Sequence, residues 1–83
     1  MASIGFSFLA EAEVVDARGL KCPLPVLKLE KRLDQVPVGT ELTVLATDPI
    51  AKVDIPLFCV QKGHKCTAKL DGAVLRFSIV KTA

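Results

Sequence analysis

The chain is 83 residues long, 51% hydrophobic and 24% charged, with a net charge of +2. That composition suits one small packed domain, is too apolar for a disordered segment and leaves little room for a deep substrate pocket. Tyr and Trp are absent, only four Phe occur, and no apolar run approaches the ~18 residues of a transmembrane helix, so neither direct nucleic-acid binding nor a membrane span is expected.

Residues 1–12 have no clear period and are expected to be a flexible extension, followed by a single domain over 13–83. Their apolar stretch Ile4–Ala10 is broken by Gly5 and Ser7 and lacks a basic residue before it, unlike a secretory leader. Glu13–Asp16 is short and β-branched and reads as a first strand ending at Gly19. From Pro23 the period becomes helical: Val26, Leu29, Leu33 and Val36 form one face, and Pro37 and Gly39 stop the helix. Glu41–Thr47 alternates as a strand. Asp48-Pro49 then reads as an N-cap with proline at the first helical position. Ile50, Val53, Leu57 and Val60 predict the buried face of a second helix capped by Gly63, with Pro56 predicting a kink or two short helices, the second restarting at Asp54. Asp71-Gly72 signals a hairpin in which Leu70 opposes Ala73, Ala68 opposes Leu75 and Cys66 opposes Phe77. The order βαβαββ predicts an α/β (α+β) two-layer sandwich, a four-stranded mixed sheet with two helices on one face.

Charge is uneven along this order. Residues 1–17 carry Glu11, Glu13 and Asp16 and no base, whereas residues 18–32 carry Arg18, Lys21, Lys28, Lys31 and Arg32 against Glu30 alone. A basic cluster thus surrounds Cys22 in sequence. Its two readings are a solvated helix face and a docking surface for an acidic partner.

The chemistry-bearing stretch is Asp16-Ala17-Arg18-Gly19-Leu20-Lys21-Cys22-Pro23-Leu24-Pro25. Cys22 falls where a helix N-cap belongs, although cysteine is a poor cap. Pro23 and Pro25 fall in the first turn, where the missing N–H groups cost little, leaving Leu24 as the one backbone donor of the first three helical positions. The positive end of the helix and the neighbours Arg18 and Lys21 predict a lowered thiol pKa. A thiolate that forms easily also leaves easily in sulfur exchange. The plain alternative is a partly buried cysteine beside a proline-rich helix start.

This Asp-x-x-Gly-x-x-Cys-Pro-x-Pro pattern resembles the TusA/SirA-type sulfur carriers. So do Asp48-Pro49, Asp54-Ile55-Pro56-x-Phe58-Cys59 and the closing Phe77-Ser78-Ile79-Val80-Lys81, and together they span residues 13–81. The resemblance implies a sulfurtransferase in which Cys22 carries a persulfide, with Pro23 and Pro25 completing the motif and Asp16 and Gly19 shaping the loop. It also implies a sulfur donor protein of the cysteine desulfurase or rhodanese type and a thiol-bearing acceptor protein. The end of the relay stays open among tRNA thiolation, cofactor sulfuration and sulfur oxidation. The N-terminal extension and Cys66 depart from the pattern. A different reading is a small regulatory interaction module whose Cys22 is not used chemically; a redox enzyme is weaker, because no Cys-x-x-Cys occurs.

Three cysteines are an odd and sparse set for a secreted disulfide framework, so a reducing, cytoplasmic setting is expected. Cys59 reads as a partly buried helix residue, or else as a second sulfur acceptor or resolving thiol, and Cys66 as core. Reactivity is accordingly expected to fall from Cys22 through Cys59 to Cys66. Cys59, His64 and Cys66 fit no zinc spacing, and Glu30 and Asp34 read as surface charge. No metal or cofactor is expected, and the chain is expected to be a monomer on its own.

Overall fold

The computed structural model describes residues 13–82; the extension expected over 1–12 lies outside the described residues. Six elements follow in order: β1 (Glu13–Ala17), α1 (Leu24–Leu33), β2 (Glu41–Ala46), α2 (Ala51–Lys62), β3 (Lys65–Asp71) and β4 (Val74–Val80). They build the expected two-layer sandwich. The sheet runs β1-β2-β4-β3, with β1 parallel to β2 and both other pairings antiparallel.

Alternation decides which sheet face is covered. Val15 and Ala17 from β1, Leu42, Val44 and Ala46 from β2, and Leu75, Phe77 and Ile79 from β4 are all buried against the helices. From α1 come Pro25, Leu29 and Leu33, and from the turn after it Val36. Fully burying an aliphatic or aromatic side chain contributes about 1.5–3 kcal/mol, so Phe77, Leu29, Leu42, Ile55 and Ile79 carry much of this small core. Lys81 at the end of β4 closes the opposite end of α1: its Nζ donates to the carbonyls of Leu33 at 2.6 Å and Val36 at 2.8 Å.

The structure corrects the sequence reading of α2 at two points. Its buried face is Ala51, Ile55, Phe58 and Cys59, whereas Ile50, Val53, Leu57 and Val60 are exposed, Val60 to 76%. Both sets recur at helical spacing, and the helix is apolar nearly all round, so periodicity alone had no means of choosing. Nor does Pro56 divide the segment: one helix runs from Ala51 to Lys62. Buried residues on both sides of Pro56 and firm closure at both ends hold it together. At the C-terminal end Gly63 adopts φ 80°, and the N–H of His64 reaches back to the Cys59 carbonyl at 2.8 Å.

The hairpin is corrected as well. Asp71 pairs with Val74, so the two loop residues are Gly72 and Ala73, and Leu70, Ala68 and Cys66 oppose Leu75, Phe77 and Ile79. Gly72 takes φ 64° at the first loop position, which favours glycine there over the second. The pairing slides by two residues, so Cys66, Ala68 and Leu70 stay on one face with Leu75 and Phe77, while Ala73 passes into the loop. Cys66 is nevertheless half-buried and not core, because β3 is an edge strand and its rim is open to water.

Candidate functional site

The parallel pair β1/β2 explains where the site lies. Ala17 and Ala46 are register partners at the carboxyl ends of both strands, so the loops that follow emerge side by side. One is Arg18–Pro23 and the other Thr47–Ile50. They are stitched together by backbone donors of the first loop and side-chain oxygens of the second: Gly19 N–H to Thr47 Oγ1 at 2.9 Å, and Cys22 N–H to Asp48 Oδ2 at 2.7 Å. An open cleft of about 500 Å³ lies between them, bordered by Leu20, Lys21, Cys22, Asp48 and Ile50.

Asp48 holds two elements at once. While Oδ2 takes the Cys22 N–H, Oδ1 accepts the Ile50 N–H at 3.0 Å, and the Asp48 carbonyl accepts from Ala51 at 3.0 Å. The expected N-cap is corrected here: helix begins at Ala51 with Ile50 at the cap position and no side-chain cap bond, so Asp48 and Pro49 form the turn that leads into it. The Cys22 and Ile50 N–H donors hold the Asp48 carboxyl below the usual range, with Lys21 nearby adding to the effect.

Cys22 itself sits one residue before the helix cap, which is Pro23, and the Cys22–Pro23 peptide bond is cis. The predicted N-cap position is therefore off by one. Leu24 spends its N–H on the Lys21 carbonyl at 2.8 Å, so the backbone donor next to Pro23 is not offered to sulfur. Pro25 is buried under the turn, and Pro23 and Lys21 are exposed.

The electrostatic expectation is reversed. The Cys22 Sγ–H donates to Asp54 Oδ2, and the thiol is pushed up, not down: that hydrogen bond is the largest cause, followed by desolvation and the negative charges of Asp54 and Asp48. Of the two bases expected to counter this, Lys21 is exposed and acts on Asp48, and Arg18 is engaged elsewhere. Arg18 folds back on Asp16, with Nε to Oδ1 at 2.9 Å and Nη2 to Oδ2 at 2.8 Å, which takes the Asp16 carboxyl down to about 2. Lys28 donates to the Asp16 carbonyl, and Arg32 pairs with Glu13 and with Gln35. Asp16 Oδ1 also accepts the Arg18 N–H at 3.1 Å, and Gly19 takes φ 81° in the loop.

Asp48 and Asp54 are the site residues that sequence reasoning did not place beside Cys22. They lie 26 and 32 positions downstream, and only the parallel strand pair brings them back. Their signal was present in Asp48-Pro49 and Asp54-Ile55-Pro56, read there as a cap and a helix restart.

The other thiols stand apart from the cleft. Cys59 is fully buried, and burial pushes its thiol up to about 12. Cys66 packs beside it from β3 and is raised by burial too, so the predicted order of accessibility between these two is inverted. His64 accepts the Thr82 N–H on Nδ1 at 3.3 Å, and burial lowers its pKa. No helix among the described residues is long and apolar enough to cross a membrane.

Comparison with known proteins places this geometry. The family model described as "Sulfurtransferase TusA" matches residues 13–81. Among curated proteins, the chain is 46% identical over 56 residues to the sulfur carrier protein TusA of Pseudomonas savastanoi pv. phaseolicola, covering 68% of this chain and 67% of that one. It is 44% identical over 59 residues to the protein of the same name from Pseudomonas entomophila, covering 71% and 74%. Among solved structures, the SirA-like protein of Desulfitobacterium hafniense superposes with a TM-score of 0.75 at 26% identity, over 84% of this chain and 97% of that one.

Proposed function

The chain belongs to the TusA family of sulfurtransferases and is a sulfur carrier, and on that premise we propose that Cys22 is the residue on which the sulfur travels, as a persulfide. A carrier works between a sulfur donor protein and an acceptor protein. The donor we propose is a cysteine desulfurase or a rhodanese-type protein, and the acceptor a thiol-bearing protein, both in the cytoplasm. The relay ends in tRNA thiolation, cofactor sulfuration or sulfur oxidation.

One observation carries the assignment to Cys22. Cys22 borders the open cleft between the two loops, whereas Cys59 on α2 is fully buried and packs against Cys66 of β3. An open rim suits a protein that must present one sulfur atom to two partners in turn. Pro23 and Pro25 stiffen the chain behind the thiol, and the Asp48 bond to its N–H fixes the backbone. The apolar side chains of Leu24 and Leu27, about half exposed on α1, and of Ile50 at the cleft rim supply contact area for a docking partner.

Incubation with a cysteine desulfurase and cysteine, followed by intact mass measurement, tests the assignment. The expected result is a one-sulfur adduct on the wild-type protein that is removed by a thiol reductant and absent from Cys22→Ser. An adduct that persists in Cys22→Ser refutes the reading.

A further inference from the structure

A nucleophilic sulfur is ordinarily surrounded by positive charge, yet two carboxylates act on this one, and no arginine or lysine bonds to it among the described residues. Asp48 is explained by its backbone donors. Asp54 is not. It sits in the first turn of α2, half-buried, with no arginine or lysine paired to its carboxylate among the described residues. Its contact is the Cys22 thiol, a weak donor that gives a carboxylate little in return for leaving water. The same contact has a direct chemical use: a carboxylate oxygen in line with an S–H is placed to receive its proton.

We propose that Asp54 is the proton acceptor for sulfur loading and the charge that turns the loaded sulfur outward. The proposal rests on Cys22 being the carrier. In the loading step the Cys22 proton passes to Asp54 Oδ2 as Sγ attacks the outer, sulfane sulfur of a donor persulfide, R–S–SH. A bond forms between Sγ and the outer sulfur. The donor's S–S bond breaks, and its electron pair leaves on the inner sulfur as a thiolate. That thiolate takes the proton from Asp54. The balance is Cys22–SH plus R–S–SH giving Cys22–S–SH plus R–SH, with no external oxidant or reductant.

Loading then changes the contact. Sγ, now bonded to sulfur, has no hydrogen to donate, so the bond to Asp54 is lost. The outer sulfur of a persulfide ionises more readily than a thiol, and its negative charge is repelled by Asp54 and Asp48 together. The open direction is the cleft, where Lys21 is the exposed neighbouring base; Arg18 is held on Asp16. The empty carrier thus rests as a protonated thiol that resists adventitious modification, and the full carrier presents its cargo.

The test compares wild type, Asp54→Asn and Asp54→Glu by two measurements on the full chain. The first is the pH profile of Cys22 alkylation by iodoacetamide, read by site-resolved mass spectrometry. The second is the loading rate from a persulfidated cysteine desulfurase. Asp54→Asn is expected to alkylate faster near neutral pH, with its profile moved to lower pH, yet to load at least about tenfold more slowly. A merely structural loss does not move the two rates in opposite directions. Asp54→Glu, which keeps the carboxylate, is expected to recover part of the loading rate. Loading by Asp54→Asn at the wild-type rate, or alkylation no faster than wild type, overturns the role of Asp54 while leaving Cys22 as the carrier. If Asp54→Asn does not fold, Asp54→Glu decides: a wild-type alkylation profile, which shows the carboxylate still on the thiol, with no measurable loading refutes proton acceptance by the carboxylate. Failure of wild type to acquire any adduct at Cys22 overturns both readings.

Discussion

Sulfur exchange needs a thiolate at the instant of attack, and Cys22 waits as a thiol bonded to Asp54. Its neighbours in sequence, Arg18 and Lys21, pointed the other way. Charge proximity along the chain is a weak guide because Arg18 spends its guanidinium on Asp16, two residues back. Cys59 shows a different dependence on surroundings: burial first, with the Cys66 thiol beside it adding to the effect, takes its thiol up to about 12. That shift has a consequence for stability. Unfolded, the same thiol titrates near pH ~8.5, so between there and about 12 the unfolded chain has lost a proton that the native chain keeps. Stability from this source is complete below pH ~8.5 and falls as pH rises, by at most about 1.4 kcal/mol per pH unit. Urea titrations from pH 7 to 11 are expected to show that loss in wild type and a shallower one in Cys59→Ala. Equal slopes in the two proteins contradict the assignment.

At the level of elements, α2 is where pattern reading went wrong and where a mutational contrast is sharpest. Ile55 is fully buried and Val60 is 76% exposed, although the sequence pattern placed Val60 on the core face. Ile55→Ala is expected to cost about 2–5 kcal/mol in denaturant unfolding, and Val60→Lys to stay within about 0.5 kcal/mol of wild type. The reverse order restores the original helix phase. The exposed row of Ile50, Val53, Leu57 and Val60 also clarifies why α2 is apolar nearly all round: one side fills the core and the other remains outside. By contrast α1 was legible, because lysines and arginines mark its wet face and leave only Leu29 and Leu33 with their neighbours to turn inward.

For the whole molecule, the core and the site depend on the same sheet. Phe77 in β4 is fully buried opposite Val44 in β2, the strand whose end delivers Thr47 and Asp48 to the cleft. Phe77→Ala is expected to cost about 3–5 kcal/mol, a large share of the ~5–15 kcal/mol available to a small domain. Denaturant unfolding and the protection of Cys59 from alkylation should both report it. A loss below about 1 kcal/mol is inconsistent with Phe77 anchoring the core.

The sequence by itself determined the element order, the alternation of β2 and of the two hairpin strands, and the loop that carries Cys22. These are local properties: period, turn chemistry and a proline-rich helix start act over a few residues. Hairpin faces survived even a two-residue error in register, because strand alternation has a period of two. Tertiary structure alone decided the phase of α2, the partial burial of Cys66 and the charge around the thiol. Each is set by residues distant in sequence. An apolar helix chooses its inner face from the sheet it meets, and β3 is an edge strand because no described residue pairs beyond it. Asp48 and Asp54 reach Cys22 only because β1 and β2 run parallel and end at the same level, which sets a pair of carboxylates where sequence neighbours had predicted a pair of bases.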